Sequence, residues 1–379
     1  MTATLTSVVA ESHVVVCCGS GGVGKTTTAA VIAMEAARLG RRAVVVTIDP
    51  ARRLADALGL EGLTNTPSPI DGPWNAPGGS GGEMSALMLD TKSTFDGLVR
   101  RYSADPDQAE RILANSFYRN ISGALSGTQE YMASEKLYEL AEESDFDLVV
   151  VDTPPTRNAL DFLDAPQRLA HFLDHRIYKV LMTPTRGLVR AVNVAAQALM
   201  RSMSKVVGAD VIADAIAFFQ AFEGMEEGFK ERAARVDELL SEERTAFVLV
   251  ASPKADTVAE AGYFADKLHE SGIQVRGLIV NRMQPVFGTD DDRAASSPDA
   301  ARARAGTLAG TALGDHYRCL ADAGQLARGE EEHLAGLAER VAPAPVVRVP
   351  VQPFEVSDLG SLGALAELMF DSGAPGAPG

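Results

Sequence analysis

The sequence predicts an α/β fold, a doubly wound and mostly parallel sheet with an all-helical subdomain inserted into it. Three observations carry this expectation. Short β-branched runs bounded by turn residues recur along the chain, the pattern of strands buried on both faces of a parallel sheet. Helical patterns separate the runs, which implies right-handed βαβ units. Two long stretches then break the alternation and read as helix almost throughout.

In chain order the expected strands are Val14–Cys17, Ala43–Ile48, Ala86–Leu89, Leu148–Val151, Ala246–Ala251, Gln274–Val280 and Val346–Val349. A helix over Thr27–Leu39 follows the first. The helical stretches are 95–140 and 158–240. In the second, Leu188, Val189, Val192, Ala195, Leu199, Met200 and Met203 keep helical spacing. They are read as one subdomain within a single domain spanning 10–370. Segments 61–83, 284–306 and 372–379 are rich in Gly, Pro, Ala or polar residues, so flexible loops and a tail are expected there.

The 379 residues include 51 acidic and 35 basic side chains, a formal net charge of −16, with 46% apolar residues. That much apolar material can bury a sizeable core, so disorder over the whole chain is excluded. The carboxylate excess argues against nucleic acid as a partner, because phosphate contacts along a polymer need a basic surface. Three cysteines, Cys17, Cys18 and Cys319, form no Cys-x-x-Cys pair and make no disulfide framework. No run approaches the ~18 apolar residues of a membrane span. A reduced, cytoplasmic setting is expected.

The chemistry is concentrated in Gly19-Ser20-Gly21-Gly22-Val23-Gly24-Lys25-Thr26, a full G-x-x-x-x-G-K-[ST] match between an expected strand and an expected helix. Glycines let the backbone aim successive N–H groups at phosphate oxygens, and the helix N-terminus adds its positive dipole end. Lys25 would neutralise the β- and γ-phosphates of ATP, the Thr26 hydroxyl would bind Mg²⁺, and Thr27 continues the helix.

Asp152 ends the buried run Leu148–Val151, where a P-loop fold holds Mg²⁺, commonly through water; a helix-capping or turn aspartate is the plain alternative. Asp49 ends the Ala43–Ile48 run. Its carboxylate would orient the water attacking the γ-phosphate, or it simply opens an Asp-Pro turn.

With these three segments in this order, the chain resembles the family of the ArsA-type arsenical-pump-driving ATPases and the ATPases that guide tail-anchored membrane proteins. These lie within the wider class of dimerising P-loop ATPases. The resemblance runs from Val14 to the Leu359 region. The family's switch I appears as Asp49-Pro50-Ala51 and its switch II as Asp152-Thr153-Pro154-Pro155-Thr156. It implies that Asp49 activates water and that Asp152 is the outer-shell Mg²⁺ residue. It further implies that Asn281 reads adenine and that Pro350 lies in the loop packing on the base.

One departure stands out. The family's signature lysine, which reaches the partner's phosphates across the dimer, is replaced here by Ser20. Arg52, Arg53 and Arg157 stand where relatives often have other residues; any of them is a replacement cation or a solvated surface residue. Pairing is therefore as a homodimer or, favoured, as a heterodimer with a lysine-bearing paralogue.

Weaker signals have bland readings beside them. Adjacent Cys17 and Cys18 point to opposite faces of a strand, so core thiols are preferred over an arsenite site. His171 and His175 are four apart but lack a third ligand. Met200, Met203 and Met225 with Phe218, Phe219, Phe222 and Phe229 line either a helical core or a groove for an apolar client, core being preferred.

The expected function is an ATP-hydrolysing dimeric switch coupled to a hydrophobic protein client or a membrane protein. Two rivals are an ATPase driving a membrane anion pump and a non-catalytic nucleotide-binding subunit that stabilises its paralogue.

Overall fold

A computed structural model of the protein describes residues 4–49, 52–75, 78–121, 128–154, 157–174, 209–287 and 297–370. The described chain divides into two compact units, one of 1–88, 144–157 and 243–379, the other of 89–143 and 158–242.

The first unit is built on one eight-stranded sheet. Its strands are β1 (Val14–Gly19), β2 (Arg42–Thr47), β3 (Ser68–Ile70), β4 (Glu83–Met88), β5 (Leu148–Asp152), β6 (Thr245–Ala251), β7 (Val275–Met283) and β8 (Val346–Pro350). They lie in the order β3-β4-β2-β5-β1-β6-β7-β8. All neighbours are parallel except β3 and β4. Every residue of β1, β5 and β6 is buried, which is why their sequences are continuous apolar runs rather than alternating ones. The first four helices of the chain are α1 (Leu5–Glu11), α2 (Lys25–Arg38), α3 (Arg53–Leu58) and α4 (Thr91–Tyr102). The first three belong to the sheet unit. Small side chains at Ala29, Ala30, Ala33, Ala36 and Ala37 are all buried, letting the α2 backbone lie close on the sheet.

From β1 the chain passes β5 to reach β2, whereas from β5 it passes β1 to reach β6, so the two connections run in opposite directions along the sheet. A crevice at the carboxyl ends of the strands follows from that reversal. Parallel register aligns Thr47 with Asp152 and Cys17 with Asp152, which gathers the ends of β2, β5 and β1 at one place.

The structure differs from the expected loops at two points. Within 61–83 it forms β3 and a 3-10 turn at Pro73–Asn75, because Trp74, 2% exposed, is packed into the core beside Ile70 and Met84. One large apolar side chain anchors a segment whose composition reads as loop. Within 284–306 a helix, Pro298–Thr307, starts on a Ser297 hydroxyl that accepts from the Ala300 N–H, with proline at its first position. The acidic residues 290–292 lie outside the described residues, as does the tail 372–379.

In the second unit every secondary-structure element among the described residues is a helix. It contains α4, α5 (Pro106–Ala114), α6 (Ser116–Ile121), α7 (Thr128–Glu142), most of α8 (Arg157–Asp174), and the helices Ala209–Ala221 and Glu226–Ser241. Asp90 and Asp105 cap α4 and α5. Its core holds Phe218, Phe222, Met225 and Phe229 against Tyr118, Val99 and Ile112, so these aromatics are core residues. Met200, Met203 and the other apolar positions expected over 188–203 lie outside the described residues. No helix among the described residues is long and apolar enough to cross a membrane.

A buried ion network joins three elements of this unit. Arg232, 3% exposed, donates to Glu135 at 2.7 Å and to Glu143 at 2.5 Å, and its guanidinium stacks 4.0 Å from the Tyr138 ring centroid. Arg101 donates to the same Glu143 at 2.6 Å. Burial opposes ionisation of Glu143, yet the hydrogen bonds from Arg101 and Arg232 hold its pKa down to about 2. Removing Arg232 would strand the Glu135 carboxylate in the core. Arg232→Ala is expected to destabilise the helical unit by about 3–5 kcal/mol, measured by urea unfolding followed by circular dichroism.

Candidate functional site

β1 ends at Gly19 and α2 begins at Lys25, so Ser20–Gly24 is the turn between them. Gly24 caps α2 in the left-handed region at φ +99°, and no side chain caps its first N–H groups. A Cβ on Gly24 would collide with the Asn281 amide, and one on Gly19 with the Val250 carbonyl. The loop thus lies tight against β6 and the end of β7, closer than a side chain at either glycine would allow. Lys25 is 7% exposed and its Nζ donates to the Ser20 carbonyl at 2.8 Å, folding the side chain back over the loop. Burial pushes the Lys25 pKa down, an effect that Asp152 opposes. Thr27 occupies the third position of α2 and is half-buried.

Asp152, 1% exposed, lies across from the loop. Its Oδ2 accepts from Thr26 Oγ1 at 2.7 Å and from Thr47 Oγ1 at 2.9 Å. Its Oδ1 is buried without a hydrogen-bond partner. Burial raises its pKa, while the two hydroxyls and Lys25 pull it down. A partnerless buried carboxylate oxygen beside a threonine hydroxyl is an all-oxygen donor set suited to a hard divalent cation. Among the described residues no cluster of three or more His, Cys, Asp or Glu side chains could hold a metal. One carboxylate and one hydroxyl are the kind of protein ligand set that Mg²⁺ uses, its remaining ligands coming from water and phosphate.

Asp49 lies just beyond β2, and Arg53 Nη1 meets its Oδ2 at 3.5 Å. Ser20 is 4% exposed and its hydroxyl is buried without a hydrogen-bond partner. Asn281 reaches the loop from β7: its Nδ2 donates to the Val23 carbonyl at 2.9 Å, and its Oδ1 accepts from the Arg282 N–H at 2.9 Å. Arg282 takes φ +62°, turning the chain sharply after the asparagine. Pro350 closes β8 beside Met283, where the Val351 N–H donates to the Met283 carbonyl at 2.9 Å. The geometry therefore joins Lys25, Thr26, Asp152 and Asn281 to one loop and puts Pro350 on the far side of β7. Pro50, Ala51, Pro155, Thr156 and the side chains of Arg157 and Asn158 lie outside the described residues.

This sheet order, with its glycine-rich turn and strand-end carboxylate, is that of a P-loop nucleotide-binding fold. The sequence profile of the family described as "Anion-transporting ATPase" matches residues 12–295. The chain belongs to the anion-transporting ATPase family. It is 31% identical to "ATPase asna-1" of Caenorhabditis elegans over 161 residues, 40% of this chain and 44% of that protein. It is 24% identical to "ATPase GET3" of Malassezia globosa over 267 residues, 70% of this chain and 71% of the relative. It is 25% identical to the "Arsenical pump-driving ATPase" of Acidiphilium multivorum over 286 residues, 74% of this chain and 41% of that protein. The chain thus spans less than half the length of the worm and bacterial relatives.

For this anion-transporting ATPase family member, sequence reading missed Thr47. Its hydroxyl is the second anchor of Asp152. The available signal was a polar residue closing the apolar run Ala43–Val46, two positions before Asp49. Cys17 and Cys18 are buried, and burial pushes the Cys18 thiol up to about 12, so it stays protonated. His171 is exposed, and His175 lies outside the described residues. Thr47→Val keeps the shape but removes one hydrogen bond to a buried carboxylate. It is expected to lower stability by about 1.5–3 kcal/mol, read as a lower urea midpoint with an unchanged slope.

Proposed function

We propose that this protein is an ATP-binding and ATP-hydrolysing switch that couples turnover to binding and release of a protein or membrane-protein partner. The observation that carries the reading is the Thr26–Asp152–Thr47 arrangement beside the phosphate-binding turn, with a buried carboxylate oxygen still unsatisfied. Membership in a family of ATPases supports it.

Phosphate oxygens are received by the N–H groups of Ser20–Gly24 and the first turn of α2. Lys25 Nζ exchanges the Ser20 carbonyl for the β- and γ-phosphates, a move within reach of its flexible stem. Thr26 and Asp152 would hold Mg²⁺, which supplies charge neutralisation on the β- and γ-phosphates when bound. Asp49 orients the attacking water and accepts its proton at the carboxylate. The water oxygen bonds to the γ-phosphorus, the bond to the bridging oxygen breaks, and ADP and phosphate leave. Asn281 ties the loop to β7 through one amide hydrogen, leaving the other for the adenine base, with Pro350 beyond it.

The protein works as a dimer in this reading, by preference with a lysine-bearing paralogue, in the cytoplasm. Ser20 is what favours a second kind of subunit, because a buried hydroxyl carries no charge to a partner's phosphates. The same residue favours a second reading, a nucleotide-binding subunit that stabilises its paralogue without turning over. Asp49, Lys25 and Thr26 support catalysis in this chain.

Phosphate release by the purified chain, alone and with a candidate paralogue, separates the readings. Asp49→Asn is expected to keep ATP affinity and lower kcat by roughly 10²–10⁴-fold. Lys25→Ala is expected to lose ATP binding itself, measured by calorimetry. Turnover that survives Asp49→Asn but vanishes when the paralogue's own aspartate is changed assigns this chain the supporting role.

A further inference from the structure

Lys25 is the one basic residue within Gly19–Thr26, and Ser20 contributes no charge. A γ-phosphoryl group that gathers negative charge on its oxygens during transfer needs more cation than one lysine supplies. Two arginines, Arg52 and Arg53, lie at the start of α3. Arg52 lines a small cavity of about 90 Å³ together with Thr47, Leu54, Leu63 and Met88. Arg53, one residue on, faces Asp49 across 3.5 Å, four positions along the chain.

We propose that Arg53 is a second phosphate-binding cation, supplied by this chain to its own site, for which Asp49 and the γ-phosphoryl group compete. The proposal rests on the reading that this site binds ATP. Asp49 lies two residues beyond Thr47, which the register sets opposite Asp152, and its charge acts to raise the Asp152 pKa, so a group paired with Asp49 lies at this end of the sheet. The Arg53 charge is felt at Lys25, where it acts against protonation. Two cations that repel each other mark the place where a multiply charged anion is most stabilised. Arg53 is 62% exposed, so its long side chain can change partner without unpacking a core.

The test measures affinity for Mg-ADP and for Mg-AMP-PNP by calorimetry on the full chain and on Arg53→Ala, Arg53→Lys and Arg52→Ala. Arg53→Ala is expected to keep ADP affinity and to lose AMP-PNP affinity by roughly tenfold or more, the size of one charge-assisted hydrogen bond. Arg53→Lys should restore part of the loss, and Arg52→Ala should keep the wild-type ratio. Where the chain turns over, kcat in Arg53→Ala should fall on the order of 10³-fold, with a much smaller change in KM. An unchanged AMP-PNP to ADP ratio in Arg53→Ala overturns the proposal and leaves the nucleotide reading intact. Equal weakening toward both nucleotides also overturns it, by assigning Arg53 a purely structural role. If the wild-type chain binds neither nucleotide, the nucleotide reading fails and the proposal falls with it.

Discussion

The site depends on keeping one carboxylate, Asp152, in place inside the protein. Almost fully buried, it would lose its charge or its position without partners, and its two hydroxyl donors come from different elements. Thr26 is on α2 and Thr47 on β2, so a single oxygen atom pins that helix and a neighbouring strand to the end of β5. The Thr153 hydroxyl extends the same lock to β1 by donating to the Cys17 carbonyl at 2.8 Å. The cluster ties α2, β2 and β5 together at this end of the sheet and leaves the other carboxylate oxygen without a partner. A hydrophobic core alone specifies the sheet but leaves its polar end undetermined, whereas a satisfied polar network fixes one arrangement.

The charges at this end of the sheet support one another. Burial disfavours the ionised form of both Lys25 and Asp152, and each makes ionisation of the other easier. Asp49 and Arg53 form a second, more exposed pair nearby. In an acidic protein of net charge −16, Lys25 and Arg53 thus each interact with a carboxylate at this end of the sheet. Ser20 is the exception, a buried hydroxyl in a position that the family resemblance expects to carry charge.

The parts of the fold legible in the sequence were those set by local pattern. The phosphate-binding turn is read from adjacent residues, and β1, β5 and β6 from unbroken apolar runs, because burial on both faces leaves no other composition. What escaped was set by distant pairing. Thr47 matters only because parallel register brings it opposite Asp152, and Asn281 grips a loop 258 residues away in the chain. The single-residue anchor of Trp74 was hidden for a different reason: average composition of 61–83 outweighs one side chain in a propensity argument but not in a packed core. The helix at Pro298 was masked in the same way by the polar residues around it.

Trp74 has one more consequence, a spectroscopic one. It is the only tryptophan in the chain, and it is sealed into the sheet unit. Tyr102, Tyr118, Tyr131 and Tyr138 belong instead to the helical unit. Tyr263 and Tyr317 lie in the sheet unit, so tryptophan marks that unit alone while most tyrosines lie in the helical one. Indole emission reports the loosening of the sheet, while near-ultraviolet tyrosine signals are weighted toward the helices. Comparing the two bands during unfolding tells whether the protein comes apart as one cooperative body or as two.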